Sequence, residues 1–282
     1  ARDAAGRTPL HLACAEGAPD VALELLAGGA DVNALDDQHQ SALHKAVLAG
    51  SAEIVDALLK RGGADPRAAG PAGLTPLLLA AERGDIATLE ALLKWDPGLA
   101  NVQNEGGWTP LHLAAHGDTH QRKITAAKPS KFPRVAQLLL DAGASVDARD
   151  EDAKTPLHRA AATGSSGATR ALLEAGADPA AADICRWTPL HYACQDGRLG
   201  VARLLLDAKA AVQSDNPACL TPLAIATMEG QVNIAELLMA YGADPALRGK
   251  GLASPLMIAR QDREKYSDVL ALFELGSQRA AH

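Results

Sequence analysis

Polar and apolar positions along this chain recur in a fixed order. Thr8 is followed by Pro9 and Leu10, and a small residue, Ala13, stands three positions after the leucine. That spacing puts Leu10 and Ala13 on one face of a helix. Thr or Ser is a good N-cap because its hydroxyl accepts from an orphan helix amide. Pro suits the first helical position, where its missing N–H costs nothing. The order therefore predicts a helix beginning at Pro9 and closed by Gly17, and counterparts closed by Gly50, Gly84, Gly164, Gly197 and Gly230. A second apolar run follows each time, for example Leu25-Leu26, Leu58-Leu59 and Leu204-Leu205-Leu206, and predicts a second helix that buries its leucines. Gly29, Gly63, Gly143, Gly176 and Gly242 stop these second helices. The sixth copy has Lys209 at this stop, which predicts a local strain or an altered cap.

The opening order occurs eight times, starting at Thr8, Ser41, Thr75, Thr109, Thr155, Thr188, Thr221 and Ser254, with spacings of 33, 34, 34, 46, 33, 33 and 33 residues. Period, helix starts and helix stops together predict a stack of two-helix units, each burying its apolar faces on its neighbours.

A 33-residue period carrying Thr-Pro-Leu-His-x-Ala resembles the ankyrin repeat. The resemblance covers nearly the whole chain, as one domain over residues 1–282. Its repeats run over about 3–35, 36–69, 70–103, 104–149, 150–182, 183–215, 216–248 and 249–276. It implies an all-α solenoid, an ankyrin-repeat stack of helix-turn-helix units with projecting β-hairpin-like turns. It also implies a structural hydrogen bond for the motif histidines, His11, His44, His112, His158 and His191, tying each turn to its helix start.

Function in such a stack is expected on the turns and the concave face, whose residues are free to vary. The positions just before the Thr-Pro step are Arg7, Gln40, Leu74, Trp108, Lys154, Trp187 and Leu220. Trp108 and Trp187 read as interface anchors, or alternatively as rings packed on their own turns. Asp37, Glu105, Glu151 and Ile184 lie nearby in the same turns. With Asp36, Asp152 and Asp183 the acids form a row that suggests a protein partner with a basic, extended segment.

The 46-residue spacing places an insertion, 118–133, between the two helices of the fourth repeat. Its Arg122, Lys123, Lys128, Lys131 and Phe132 make it either a tolerated surface loop or a second contact site. His112, His116 and His120 are spaced as zinc ligands on one helix would be. Gly117 interrupts that helix and His112 already belongs to the motif, so no metal and no cofactor is expected.

Composition narrows the function further. Aromatics make up only 3% of a chain that is 48% hydrophobic, which suits thin helices packed through small and aliphatic side chains. A net charge of −7 argues against a general nucleic-acid binder. No stretch has the length of a membrane span, and no nucleophile elbow, phosphate loop or dinucleotide fingerprint appears. The chain thus reads as no enzyme and as having no small-molecule substrate. Four cysteines without metal or disulfide spacing suit a reducing intracellular compartment, such as the cytoplasm.

The expectation is a protein-binding scaffold or adaptor. Its alternatives are the targeting or recognition module of a larger enzyme, such as a kinase or ubiquitin ligase, and a fixed subunit of a large assembly. The eighth repeat is polar on its outer side and reads as a cap. The first has no such polarity, so preceding residues or a partner are expected before Ala1.

Overall fold

A computed structural model describes residues 1–117, 131–213, 220–247 and 253–279. Among the described residues sixteen α-helices form, two for each of the eight predicted repeats, and pairing between extended segments is limited to one isolated bridge from Leu35 to Ser41. The chain divides into two compact units, 1–151 and 152–282.

In the first unit the inner helices are α1 (Pro9–Ala15), α3 (Ala42–Ala49), α5 (Pro76–Arg83) and α7 (Pro110–His116). The outer ones are α2 (Pro19–Ala27), α4 (Ala52–Ala57), α6 (Ile86–Trp95) and α8 (Phe132–Asp141). In the second unit α9 (Pro156–Thr163), α11 (Pro189–Gln195), α13 (Pro222–Met228) and α15 (Pro255–Gln261) are inner. Their outer partners are α10 (Ser166–Glu174), α12 (Leu199–Asp207), α14 (Val232–Ala240) and α16 (Ser267–Arg279). Within each unit an inner helix packs on the next inner helix and an outer helix on the next outer one, which makes a solenoid. The motif leucines Leu10, Leu43, Leu77, Leu111, Leu157 and Leu190 are all fully buried, as are the small residues three positions on in α3, α5, α7, α9 and α11. Each buried leucine is worth about 1.5–3 kcal/mol.

Departures from the 33-residue period have visible structural outlets. The extra residue of the second repeat is absorbed by a π-helical turn, Leu58–Gly62, at the end of α4. In the third repeat the helix stop is replaced by a 3-10 turn, Pro97–Asn101, opened by the Asp96 carboxylate accepting from the Gly98 amide at 2.8 Å, with Leu99 and Ala100 fully buried. Lys209 takes the left-handed conformation its position demands, with φ +64°.

The fourth repeat corrects one sequence expectation. Phe132 is not an exposed residue of the insertion: it opens α8 and is 1% exposed. A Cβ added to Gly117 would lie 2.2 Å from its ring, so the glycine is what lets the ring seat against the end of α7. The second helix of this repeat thus begins at Phe132, inside the expected insertion 118–133. Arg122, Lys123, Lys128 and His120 lie outside the described residues, whereas Lys131 is described and exposed. At the other end, α16 runs to Arg279, beyond the repeat boundary expected at 276.

Candidate partner-binding face

Among the described turns the first of five residues is Asp or Asn in the first, second, fourth, fifth and sixth repeats. In the first, second, fourth and sixth it acts as a clasp, one side-chain oxygen accepting from two turn amides. Asp36 Oδ1 takes the Gln38 and Gln40 amides at 2.9 Å, Asn104 Oδ1 those of Gly106 and Trp108 at 3.0 and 2.9 Å, and Asp183 Oδ1 those of Cys185 and Trp187 at 2.8 and 2.9 Å. Asp3 does the same for Ala5 and Arg7. This is the local bonding for which Asp and Asn are favoured in turns.

That use overturns part of the expected acidic row. Asp36 and Asp183 are buried and spent on the clasp. Burial raises the Asp36 carboxyl, but the Lys45 ammonium 2.7 Å away and the turn amides outweigh it, so its pKa lies below the ordinary value. Asp152 pairs with Lys154 at 3.1 Å. Asp37, Glu105 and Glu151 stay exposed.

Asp37, Glu105, Glu151 and Ile184 turn out to be equivalent, each following the clasp residue. Their amides stitch neighbouring turns: Asp37 N–H donates to the Ala5 carbonyl at 3.1 Å, Glu105 to Ala72 at 3.4 Å, Glu151 to Gly106 at 3.2 Å and Ile184 to Asp152 at 3.0 Å. The backbone at these four positions is therefore fixed while the side chains face solvent, Ile184 with 65% exposure.

The other expected positions, just before Thr-Pro, have a different task. In the second repeat His44 Nδ1 accepts from the Ser41 amide at 3.2 Å and Nε2 meets the Leu74 carbonyl of the next repeat at 3.1 Å. A carbonyl only accepts, so Nε2 carries the proton and the ring is neutral. The same bridge joins His11 to Gln40, His158 to Trp187 and His191 to Leu220, at 2.9, 3.0 and 3.1 Å. Gln40, Leu74, Trp187 and Leu220 are thus half-buried hinge-pins whose carbonyls hold the preceding repeat. Arg7 is exposed, and its guanidinium pairs with Asp3 at 2.8 Å, which lowers the Asp3 carboxyl pKa.

Trp108 and Trp187 pack on their own repeats. Trp187 stacks on His191 with ring centroids 5.8 Å apart and meets the Tyr192 ring at 5.3 Å. Trp108 lies 6.3 Å from the His112 ring and edge-on to His116 at 5.3 Å. Both are half-buried and make the own-turn packing that was the alternative reading of these rings.

Tyr192 was missed by the sequence reading. Its hydroxyl donates to Asp183 Oδ2 at 2.7 Å, its ring meets that of His158 edge-on at 5.9 Å, and Lys154 Nζ sits over it at 5.5 Å. Burial and the Asp183 bond push its pKa up. The signal was available: the position after the motif histidine holds Leu12, Lys45, Arg159 and Tyr192 in different repeats, whereas the positions around it are uniform.

Cys14 and Cys194 fill core positions, and burial raises both thiols, Cys14 to about 12. Cys185 is exposed in the sixth turn, and Cys219 lies outside the described residues. Among the described residues no group of three or more His, Cys, Asp or Glu is placed to hold a metal ion, and no helix is long and apolar enough to cross a membrane.

Comparison with known proteins agrees with this geometry. The family model described as "Ankyrin repeats (3 copies)" matches residues 1–69, 62–124, 123–216 and 176–249. The chain belongs to the ankyrin-repeat family, whose fold is that of a protein-interaction module. No curated protein sequence matches significantly. Among solved structures, the chain is similar to the ankyrin repeat domain of Bcl-3, described as a unique member of the IkappaB protein family. Identity is 27% and the TM-score 0.62, over 94% of this chain and 98% of that one.

Proposed function

We propose that this chain is a non-catalytic scaffold or adaptor that holds an extended, basic segment of another protein along its turns and concave face. The observation that carries the reading is the set of Asp37, Glu105 and Glu151 in the first unit. These three exposed carboxylates sit at equivalent turn positions, on backbone already fixed by the stitch to the preceding turn. A fixed backbone lowers the ordering cost of binding, and like charges along one row attract an oppositely charged strand. Within the second unit the equivalent turn position holds the exposed Ile184, an apolar contact point of its own. The Bcl-3 domain is an ankyrin-repeat domain over nearly the same length, which supports an interaction role for this one.

Cys14 and Cys194, used as small buried core residues, suit a reducing intracellular setting, which is part of the proposal. An array of twelve-residue peptides, matched for length and grouped as basic, neutral and acidic, tests the reading. Retention of the basic group with salt-sensitive affinity supports it. Equal retention of all groups, or preference for acidic peptides, rejects it.

A further inference from the structure

The third turn, Gly70 to Leu74, differs from its neighbours in three ways. Gly70 replaces the Asp or Asn clasp, so no side-chain oxygen gathers the turn amides. Pro71 replaces the stitching residue and has no N–H to give to the carbonyl of Gln38, the equivalent of Ala5, Ala72, Gly106 and Asp152 in the other stitches. Ala72 and Gly73 are both left-handed, at φ +57° and +70°. In the first, second, fourth, fifth and sixth turns only the fourth residue is, namely Gly6, His39, Gly107, Ala153 and Arg186. What remains around the turn is its internal bonding, the His44 bond to the Leu74 carbonyl at 3.1 Å, and the long 3.4 Å stitch from Glu105 to Ala72.

The helix behind the turn is not weak. In α5 the six residues from Pro76 to Ala81 are all buried, so apolar packing anchors the repeat while its turn is loosely tied. Local opening follows where few bonds hold a segment, and the third turn has fewer than the clasped and stitched second and fourth turns. We propose that the third turn is a built-in point of local opening in the first unit. A ligand lying along the turns is accommodated by displacing this one turn, which releases the long Glu105 stitch to Ala72, while the second turn, carrying Asp37, keeps its stitch to Ala5.

The test needs no ligand and so does not depend on the proposed function. In five turns the first-residue amide donates to the carbonyl of the fifth residue: Asp3 to Arg7, Asp36 to Gln40, Gly70 to Leu74, Asn104 to Trp108 and Asp183 to Trp187. Amide hydrogen exchange of the intact chain compares five equivalent bonds, after correction for intrinsic rates. The Gly70 amide is expected to be at least tenfold less protected than those of Asp36 and Asn104, while the amides of α5 remain protected. The variant Pro71→Glu restores a donor facing Gln38 and is expected to raise protection of Gly70 several-fold. Equal protection in the wild-type turns overturns the proposal. So does a weakly protected Gly70 amide that Pro71→Glu leaves unchanged, provided circular dichroism shows the variant folded.

Discussion

His191 in α11 spans two repeats: its Nδ1 accepts from the Thr188 amide at 3.0 Å, and its Nε2 donates to the Leu220 carbonyl of the next repeat at 3.1 Å. One neutral ring therefore fixes a helix start and an inter-repeat joint at the same time. Replacing it with Ala leaves a half-buried amide and a half-buried carbonyl without this partner and opens a cavity. His191→Ala is expected to lower unfolding stability by roughly 2–4 kcal/mol, read as a lower midpoint in urea denaturation with a similar slope. An unchanged midpoint contradicts the bridging role.

The bridge also sets a pH dependence. Burial holds the His191 pKa at about 4, against an ordinary 6.5, and holds that of His44 below the ordinary value as well. Protonation would place an Nδ1–H against the Thr188 N–H donor. Because the folded pKa is depressed, the unfolded chain binds more protons in this range. The stability contribution is fully present above pH 6.5 and is lost as pH falls from 6.5 towards 4. Denaturant midpoints are expected to fall between pH 7 and pH 5, and His191→Gln, which does not titrate, should show a shallower fall than the wild type.

Lys209 has a left-handed backbone at a helix stop where Gly29, Gly63, Gly143, Gly176 and Gly242 stand in other repeats. A non-glycine residue there costs roughly 1–2 kcal/mol. Lys209→Gly relieves that strain and loses part of the gain to the greater freedom of the unfolded chain. The expected result is a stabilisation of about 0.5–1 kcal/mol, measured by thermal unfolding. A destabilised variant would mean that the lysine side chain makes a compensating contact.

The repeat, both helices of each unit and the helix stops were legible in sequence because each depends on local chemistry recurring at one spacing. Thr8 and Pro9 announce a helix start, and Lys209 was marked as strained by comparison with five glycines. The face was less legible because its residues act across repeats. Nothing near Gln40 in sequence shows that its carbonyl receives a bond from His11, 29 residues back. Asp36 and Asp37 are neighbours of the same charge, yet one is a buried clasp and the other an exposed side chain on a stitched amide. Phe132 followed a basic, proline-bearing stretch and read as part of it. Only the missing Cβ at Gly117, far enough away in sequence to be read as a simple helix stop, reveals the seat its ring occupies. Trp187 was read as an anchor from residue type, whereas stacking on His191 depends on the neighbouring turn of helix.

The central claim is that the exposed acids of the turns capture a basic segment. It is tested most directly by titrating a fluorescent extended Lys/Arg-rich peptide into the wild-type chain and into the triple variant Asp37→Lys, Glu105→Lys, Glu151→Lys, at about 50 and 300 mM salt. These side chains are exposed, so the variant should keep its melting temperature within a few degrees. The account predicts at least a tenfold loss of affinity in the variant at low salt, and a wild-type affinity that falls as salt rises. Equal affinity of the folded variant and the wild type would contradict it.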